Sequence, residues 1–134
     1  MDKNTKTTLE QFTKKALQRL QDKRKCKTVT LYVPSLDEEI VIRSLLNTEI
    51  VECTSIEDEN DPNRCDRYAI YLACKKPDLK AVAAELKKAG EITEPIEVVD
   101  IFDISEQTQI ATEIMKLSGV IGTKPVTVIE QIKN

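Results

Sequence analysis

The chain has 134 residues, a formal net charge of −3, 40% apolar and 4% aromatic residues, and neither Trp nor His. That length fits one domain over residues 1–134 with a core of Leu, Ile, Val and Ala, while three glycines and five prolines are too few for the turns of an all-β sandwich. Without histidine the commonest general base and metal ligand at neutral pH is missing, and the scattered glycines form no phosphate cradle.

In chain order, residues 1–25 read as a basic amphipathic helix. Thr8 and Gln11 stand in capping-box spacing, and Leu9, Phe12, Ala16 and Leu20 follow on one helical face, with Lys14, Lys15, Arg19 and Lys23 largely elsewhere. Two readings are open for this helix: it packs on the domain, or it docks on a partner through Phe12, Ala16 and Leu20. The charge contrast suits either. Residues 1–27 carry nine Lys/Arg against three Asp/Glu, and residues 28–134 carry eleven against twenty.

The period then changes to two. In "TVTLYV" Val29, Leu31 and Val33 alternate with Thr28, Thr30 and Tyr32, and "EIVIR" alternates again after "PSLDE". A β-hairpin over residues 27–43 is predicted. An isolated hairpin is marginal, so its apolar face is expected to lie on helices.

Residues 47–119 return to helical spacing. Asn47 is the expected N-cap of "NTEIVECTSI". Asp61 is expected to cap a helix with Pro62 in its first turn and a buried stripe of Cys65, Tyr68, Ala69, Leu72 and Ala73. Pro77 stops that helix, and Asp78 caps another with Leu79, Val82, Ala83 and Leu86 inward, ending at Gly90 in the left-handed conformation. Thr93 and Pro95 start a helix with Ile96, Val99 and Phe102 inward. Asp103 or Ser105 starts the next, with Ile110, Ile114 and Leu117 inward and an end at Gly119 and Val120. Residues 120–134 read as a loosely docked last segment in which Pro125, Val128, Ile129 and Ile132 mark a helix. The expected fold is α+β, mostly α: a small hairpin packed on five or six short helices.

The chemistry expected is sparse. Cys26, Cys53, Cys65 and Cys74 contain no CxxC spacing, so reduced, mostly buried thiols are expected, without a zinc set. Cys65 and Cys74 read as sharing one helix, about 13 Å apart along its axis and too distant for a disulfide. The acidic run "EDEND" lacks the order of a calcium loop and reads as a solvated loop. Asp58 and Asp61 within it are a carboxylate pair among solvated acids. No metal, cofactor or catalytic residue is expected, and the chain is read as a non-enzyme. The hydrophilic start and the lack of any apolar run near ~20 residues predict neither signal peptide nor membrane span.

Across residues 40–119 the chain resembles the XkdN-like family of phage tail assembly chaperones, found in the tail-gene clusters of phages and PBSX-like prophages of Gram-positive bacteria. The resemblance rests on Ile42-Arg43-Ser44, Cys53-Thr54, Tyr68/Leu72/Cys74, Pro77-Asp78-Leu79, Pro95-Ile96-Glu97 and Leu117-Ser118-Gly119, in that order and spacing. The hairpin is shorter than in many relatives and has no Trp, and the basic helix is longer.

What the resemblance implies is a chaperone of the bacterial host cytoplasm that binds the long helical tape measure protein during tail morphogenesis. It would help to recruit tail tube protein and be absent from the mature virion. Self-association is compatible with that role. Binding to nucleic acid is not expected, because phosphate contacts dominate such affinity and the body is acidic; nor is binding to membrane. The competing readings are a structural tail or connector component, or a small nucleic-acid-binding regulator using the basic helix.

Overall fold

A computed structural model describes residues 8–56 and 60–130. The part of the basic helix before Thr8, the Asp58 half of the acidic pair and Ile132 lie outside the described residues. Within them the fold is α+β and mostly α, with six helices and a small three-stranded antiparallel sheet.

Helix α1 (Leu9–Arg24) begins with the capping box read from the sequence. Gln11 N–H donates to Thr8 Oγ1 at 3.2 Å, and Gln11 Oε1 accepts from Thr8 N–H at 3.3 Å. The hairpin follows as β1 (Thr28–Val33) and β2 (Glu38–Arg43), paired from Thr28 opposite Arg43 to Val33 opposite Glu38. Period two puts Val33, Ile40 and Ile42 into the core, each below 5% exposure.

Where β2 ends, the chain is tied three ways. The Arg43 guanidinium forks onto both Glu49 carboxylate oxygens at 2.9 Å, and Glu49 Oε1 also accepts the Leu46 N–H at 2.9 Å. That fork lowers the Glu49 pKa and raises that of Arg43, against the opposing effect of partial burial. Buried Ser44 accepts the Lys27 N–H through Oγ at 2.9 Å, and its own N–H donates to the Lys27 carbonyl at 2.8 Å. Helix α2 (Asn47–Thr54) therefore starts from Leu46, not from Asn47 as N-cap; the Glu49 carboxylate accepts the Leu46 N–H, and among the described residues no side chain takes the N2 or N3 N–H.

Helix α3 (Arg64–Ala73) also starts later than expected. Asp61 does not cap it. Its carbonyl closes a turn onto Arg64 N–H at 3.1 Å, and its carboxylate pairs with Arg67, which also reaches Asp100 Oδ1 at 3.3 Å. The sequence reading ran this helix through Cys74. Instead Cys74–Lys76 forms a third strand, β3, which pairs antiparallel with β2 through Val41 opposite Lys76 and Ile42 opposite Cys74, across an irregularity. Cys65 and Cys74 thus belong to different elements.

Asp78 caps helix α4 (Leu79–Lys88) by accepting the Lys80 N–H at 3.1 Å. Gly90 ends it at φ 76°, with Glu91 N–H reaching back to the Leu86 carbonyl at 3.0 Å. Pro95–Ile101 is a 3₁₀ helix with Ile96, Val98 and Val99 buried; Glu97 Oε2 accepts the Thr93 and Glu94 N–H groups at 2.6 and 3.1 Å.

Helix α5 (Ile104–Leu117) starts from Asp103, whose N–H donates to Glu106 Oε1 at 2.9 Å. Its ending is the expected one: Gly119 at φ 78°, and Val120 N–H to the Met115 carbonyl at 3.0 Å. Gln107, an unforeseen core residue only 4% exposed, donates to the carbonyls of Val99 and Phe102 at 3.2 and 3.0 Å. It thereby satisfies the 3₁₀ helix end with its own amide. After Gly122 no helix forms among the described residues, and Val126, Val128 and Ile129 are 101%, 78% and 75% exposed. Over residues 123–130 the expected last helix does not form. Pro125 removes a backbone donor from a segment rich in β-branched residues, which have weak helix preference.

The core runs from the hairpin face through α3 and α5 to α4 and the 3₁₀ helix. Val99, Ile110 and Ile114 are buried as expected, but Leu72, Val82 and Leu86 are only half-buried, lining its margin. Ile114→Ala is expected to destabilise the fold by ~2 to 5 kcal/mol, and Leu72→Ala by clearly less, as measured by denaturant unfolding. The Arg43–Glu49 fork sets a second expectation. A carboxylate held below its ordinary pKa stabilises the fold above that ordinary value, and the contribution is lost as pH falls through the folded one. Stability should therefore drop as pH falls below about 4.5, and Glu49→Gln should flatten that acid limb in thermal melts.

Candidate docking surface

Helix α1 contributes no buried residue to the fold. Its apolar side chains are displayed: Leu9 is 83% exposed, Phe12 65%, Leu17 57% and Leu20 52%. Ala16 is half-buried between Phe12 and Leu20. At about 100° per residue these positions fall within roughly 140° of arc; Lys15 and Arg19 line one flank of the stripe, and Lys23 falls within its arc beyond Leu20. The three residues singled out from the sequence therefore share one face. Leu17, at its far edge, extends that face beyond the sequence reading; its i+4 spacing from Thr13 and i−3 spacing from Leu20 was the available signal.

Of the two readings open for α1, packing on the domain would have buried this stripe. It is not buried. The Glu10–Lys14 pair on the helix, 3.8 Å apart and largely exposed, contributes little. What remains is a 16-residue helix with an uncovered apolar stripe and a basic flank.

The end of α1 meets the body over a shallow cleft of about 180 Å³, where Arg19, Lys23, Lys25, Lys27 and Lys116 gather around one acid, Asp22. A second concavity of about 400 Å³ lies on the other flank of the hairpin. Leu31, Tyr32, Val33 and Pro34 form one wall and the Glu106–Glu113 part of α5 the other, and apolar surface predominates.

The four cysteines are free thiols: Cys26 exposed, Cys65 half-buried, Cys53 and Cys74 buried. Burial pushes the Cys53 and Cys74 thiols up to about 11. Cys74 Sγ lies 3.3 Å from the Pro77 carbonyl, which it reaches as a weak donor. Among the described residues no group of His, Cys, Asp or Glu is arranged to hold a metal ion. No helix there is long and apolar enough to cross a membrane.

Comparison of the chain with protein-family models, with curated proteins and with solved structures finds no match. Of the positions on which the resemblance rests, Cys53, Tyr68 and Leu72 lie within helices α2 and α3, and several others stand at joints of the fold. Ile42-Arg43-Ser44 ends β2, Pro77-Asp78-Leu79 links β3 to α4, Glu97 caps the 3₁₀ helix, and Ser118 Oγ accepts the Leu45 N–H at 2.8 Å. The α1 face lies apart from all of them.

The thiol environments carry a testable consequence. Native protein should show one fast-reacting thiol, Cys26, in a colorimetric thiol titration, and four after denaturation, because the thiolate is the reactive form and burial disfavours it. A thiol whose pKa rises on folding stabilises the fold below its unfolded value and loses that contribution as pH climbs through the folded one. Thermal stability should therefore fall between pH 9.0 and about 11, and less steeply in Cys53→Ala.

Proposed function

We propose that this protein is a phage or prophage tail assembly chaperone of the XkdN-like type, which binds the tape measure protein while the tail is built. The observation that carries the reading is the uncovered apolar stripe of α1, Leu9, Phe12, Leu17 and Leu20, on a helix that gives nothing to the core. A second amphipathic helix laid along such a stripe buries apolar area on both partners, as in helix-in-groove recognition. A tape measure protein is a long helical client with repeated stripes of this kind. The small, mostly α body then acts as an acidic, soluble cap on a sticky partner, and the role needs no reacting group. The motifs between residues 42 and 119 supply the resemblance, and the stripe supplies the contact.

Being absent from the mature virion separates this reading from that of a structural tail component. A nucleic-acid-binding regulator would draw on the basic residues of α1 and the cleft beneath it; a mobility shift erased by moderate salt is the expected result for the chaperone.

Phe12→Ala with Leu20→Ala is the direct test. Both side chains are more than half exposed, so the double variant should keep its folding stability within about 0.5 kcal/mol. Co-purification with a co-expressed tape measure protein should fall at least several-fold. Unchanged co-purification from a folded variant would place the client elsewhere and remove the support that α1 gives.

A further inference from the structure

The sheet has one unguarded side. Strand order β1-β2-β3 leaves β1 at the edge, with no strand beside it among the described residues. Ser44 N–H donates to the Lys27 carbonyl, which makes 27 and 44 a hydrogen-bonded pair, and the alternation of an antiparallel ladder then turns the N–H and C=O groups of Thr28, Thr30 and Tyr32 outward. Edge strands are normally blunted by charge, proline or a bulge. The six residues Thr28–Val33 contain none of these, and their pairing with β2 is regular. Along this edge runs the apolar concavity of about 400 Å³ between β1 and α5.

The same chain carries a segment suited to that edge. Residues 123–130 lie in neither helix nor strand, and Val126, Val128 and Ile129 are almost fully or largely exposed. Val126, Thr127, Val128 and Ile129 are all β-branched, and such residues favour strands. Period two puts Val126 and Val128 on one face, matched to the groove beside Leu31 and Val33, and Ile129 on the other, beside Tyr32. Lys124 precedes them, and the groove is rimmed by Glu106 and Glu113.

We propose that β1 is a strand-addition site whose occupant is the 123–130 segment of a second copy of this chain. The geometry favours the second copy over the chain's own segment. Helix α5 starts beside the hairpin turn, where Glu106 Oε1 accepts the Ser35 hydroxyl at 2.8 Å. It ends beside Leu45, at the open end where β1 begins. The chain's own segment thus sets out from the start of β1 and runs only parallel to it. Antiparallel pairs are the commoner and slightly stronger arrangement, and a second copy reaches the edge in that direction. A two-fold axis then makes the exchange reciprocal, each copy giving one segment and receiving one. The surface is separate from the α1 stripe and does not depend on the client reading.

Sedimentation of the full-length chain over a wide concentration range, together with amide hydrogen exchange, tests the proposal. A monomer–dimer equilibrium is expected, with exchange at Thr28, Thr30 and Tyr32 slowing as the dimer fills. Val126→Asp with Val128→Asp changes only side chains exposed in the single chain, so it should melt normally, remain monomeric at every concentration and lose the protection. A monomer at all concentrations with unprotected edge amides would overturn the proposal. A dimer that survives the double substitution would do the same, because another face, such as the α1 stripe, then holds it together. Edge amides protected in a monomer irrespective of concentration would show that the segment folds back on its own β1, which also overturns the second-copy assignment.

Discussion

The junction at the end of β2 is the constraint on which the rest of the fold depends. Three successive residues there act in three directions: Ile42 is fully buried, Arg43 forks onto Glu49 at the start of α2, and Ser44 closes the hairpin through Lys27. The next residue, Leu45, is buried and donates its N–H to Ser118 at the end of α5. Sheet, α2 and α5 are fixed relative to one another within four consecutive positions. A bidentate guanidinium–carboxylate contact suits this point because it fixes orientation as well as distance, and partial burial shields it from the screening that weakens surface pairs.

Most of the architecture was legible from periodicity and capping chemistry. The hairpin, α1, α4, α5 and both glycine-terminated helix ends follow from local signals that no distant contact overrides. The parts that were not legible share a cause. Leu46 stands where Asn47 was expected to cap, and the Glu49 carboxylate, held by Arg43 from another element, accepts its N–H. Asp61 leaves its capping role because Arg67, between it and Asp100, uses its charge. Strand β3 has three residues, too short for any periodic pattern, and exists because β2 offers it an edge. Gln107 shares the inward spacing of Ile110, Ala111 and Ile114, and its burial is explained by the Val99 and Phe102 carbonyls at the end of the 3₁₀ helix, which accept from its amide. In each case a long-range partner outweighed a local preference.

The candidate surface was legible to a different degree. Composition and spacing marked Phe12, Ala16 and Leu20 as one face but left its use open, since an amphipathic helix looks the same whether it packs inward or outward. In the structure this face is exposed rather than packed on the body. The structure also separates two kinds of residue that sequence alone mixes. Those that specify the fold sit at its joints between residues 42 and 119. Most of the uncovered apolar ones, in α1 and after Gly122, lie outside that stretch, although Val51 and Ile104 within it are exposed too.

The placement of charge makes the molecule an electric dipole. The basic α1 is attached to an acidic body at one end only, through Lys25–Lys27, and at 1.5 Å per residue it extends for about 24 Å. The positive pole lies at its attached end, where Arg19, Lys23, Lys25, Lys27 and Lys116 gather, while the far half of the helix carries only Lys14 and Lys15 against Glu10. In the field of an acidic partner the whole body turns before contact, presenting the base of α1 first. Encounter then belongs to long-range electrostatics and is sensitive to ionic strength, while residence belongs to the apolar stripe and is not. One helix thus separates how quickly a partner is found from how long it is held.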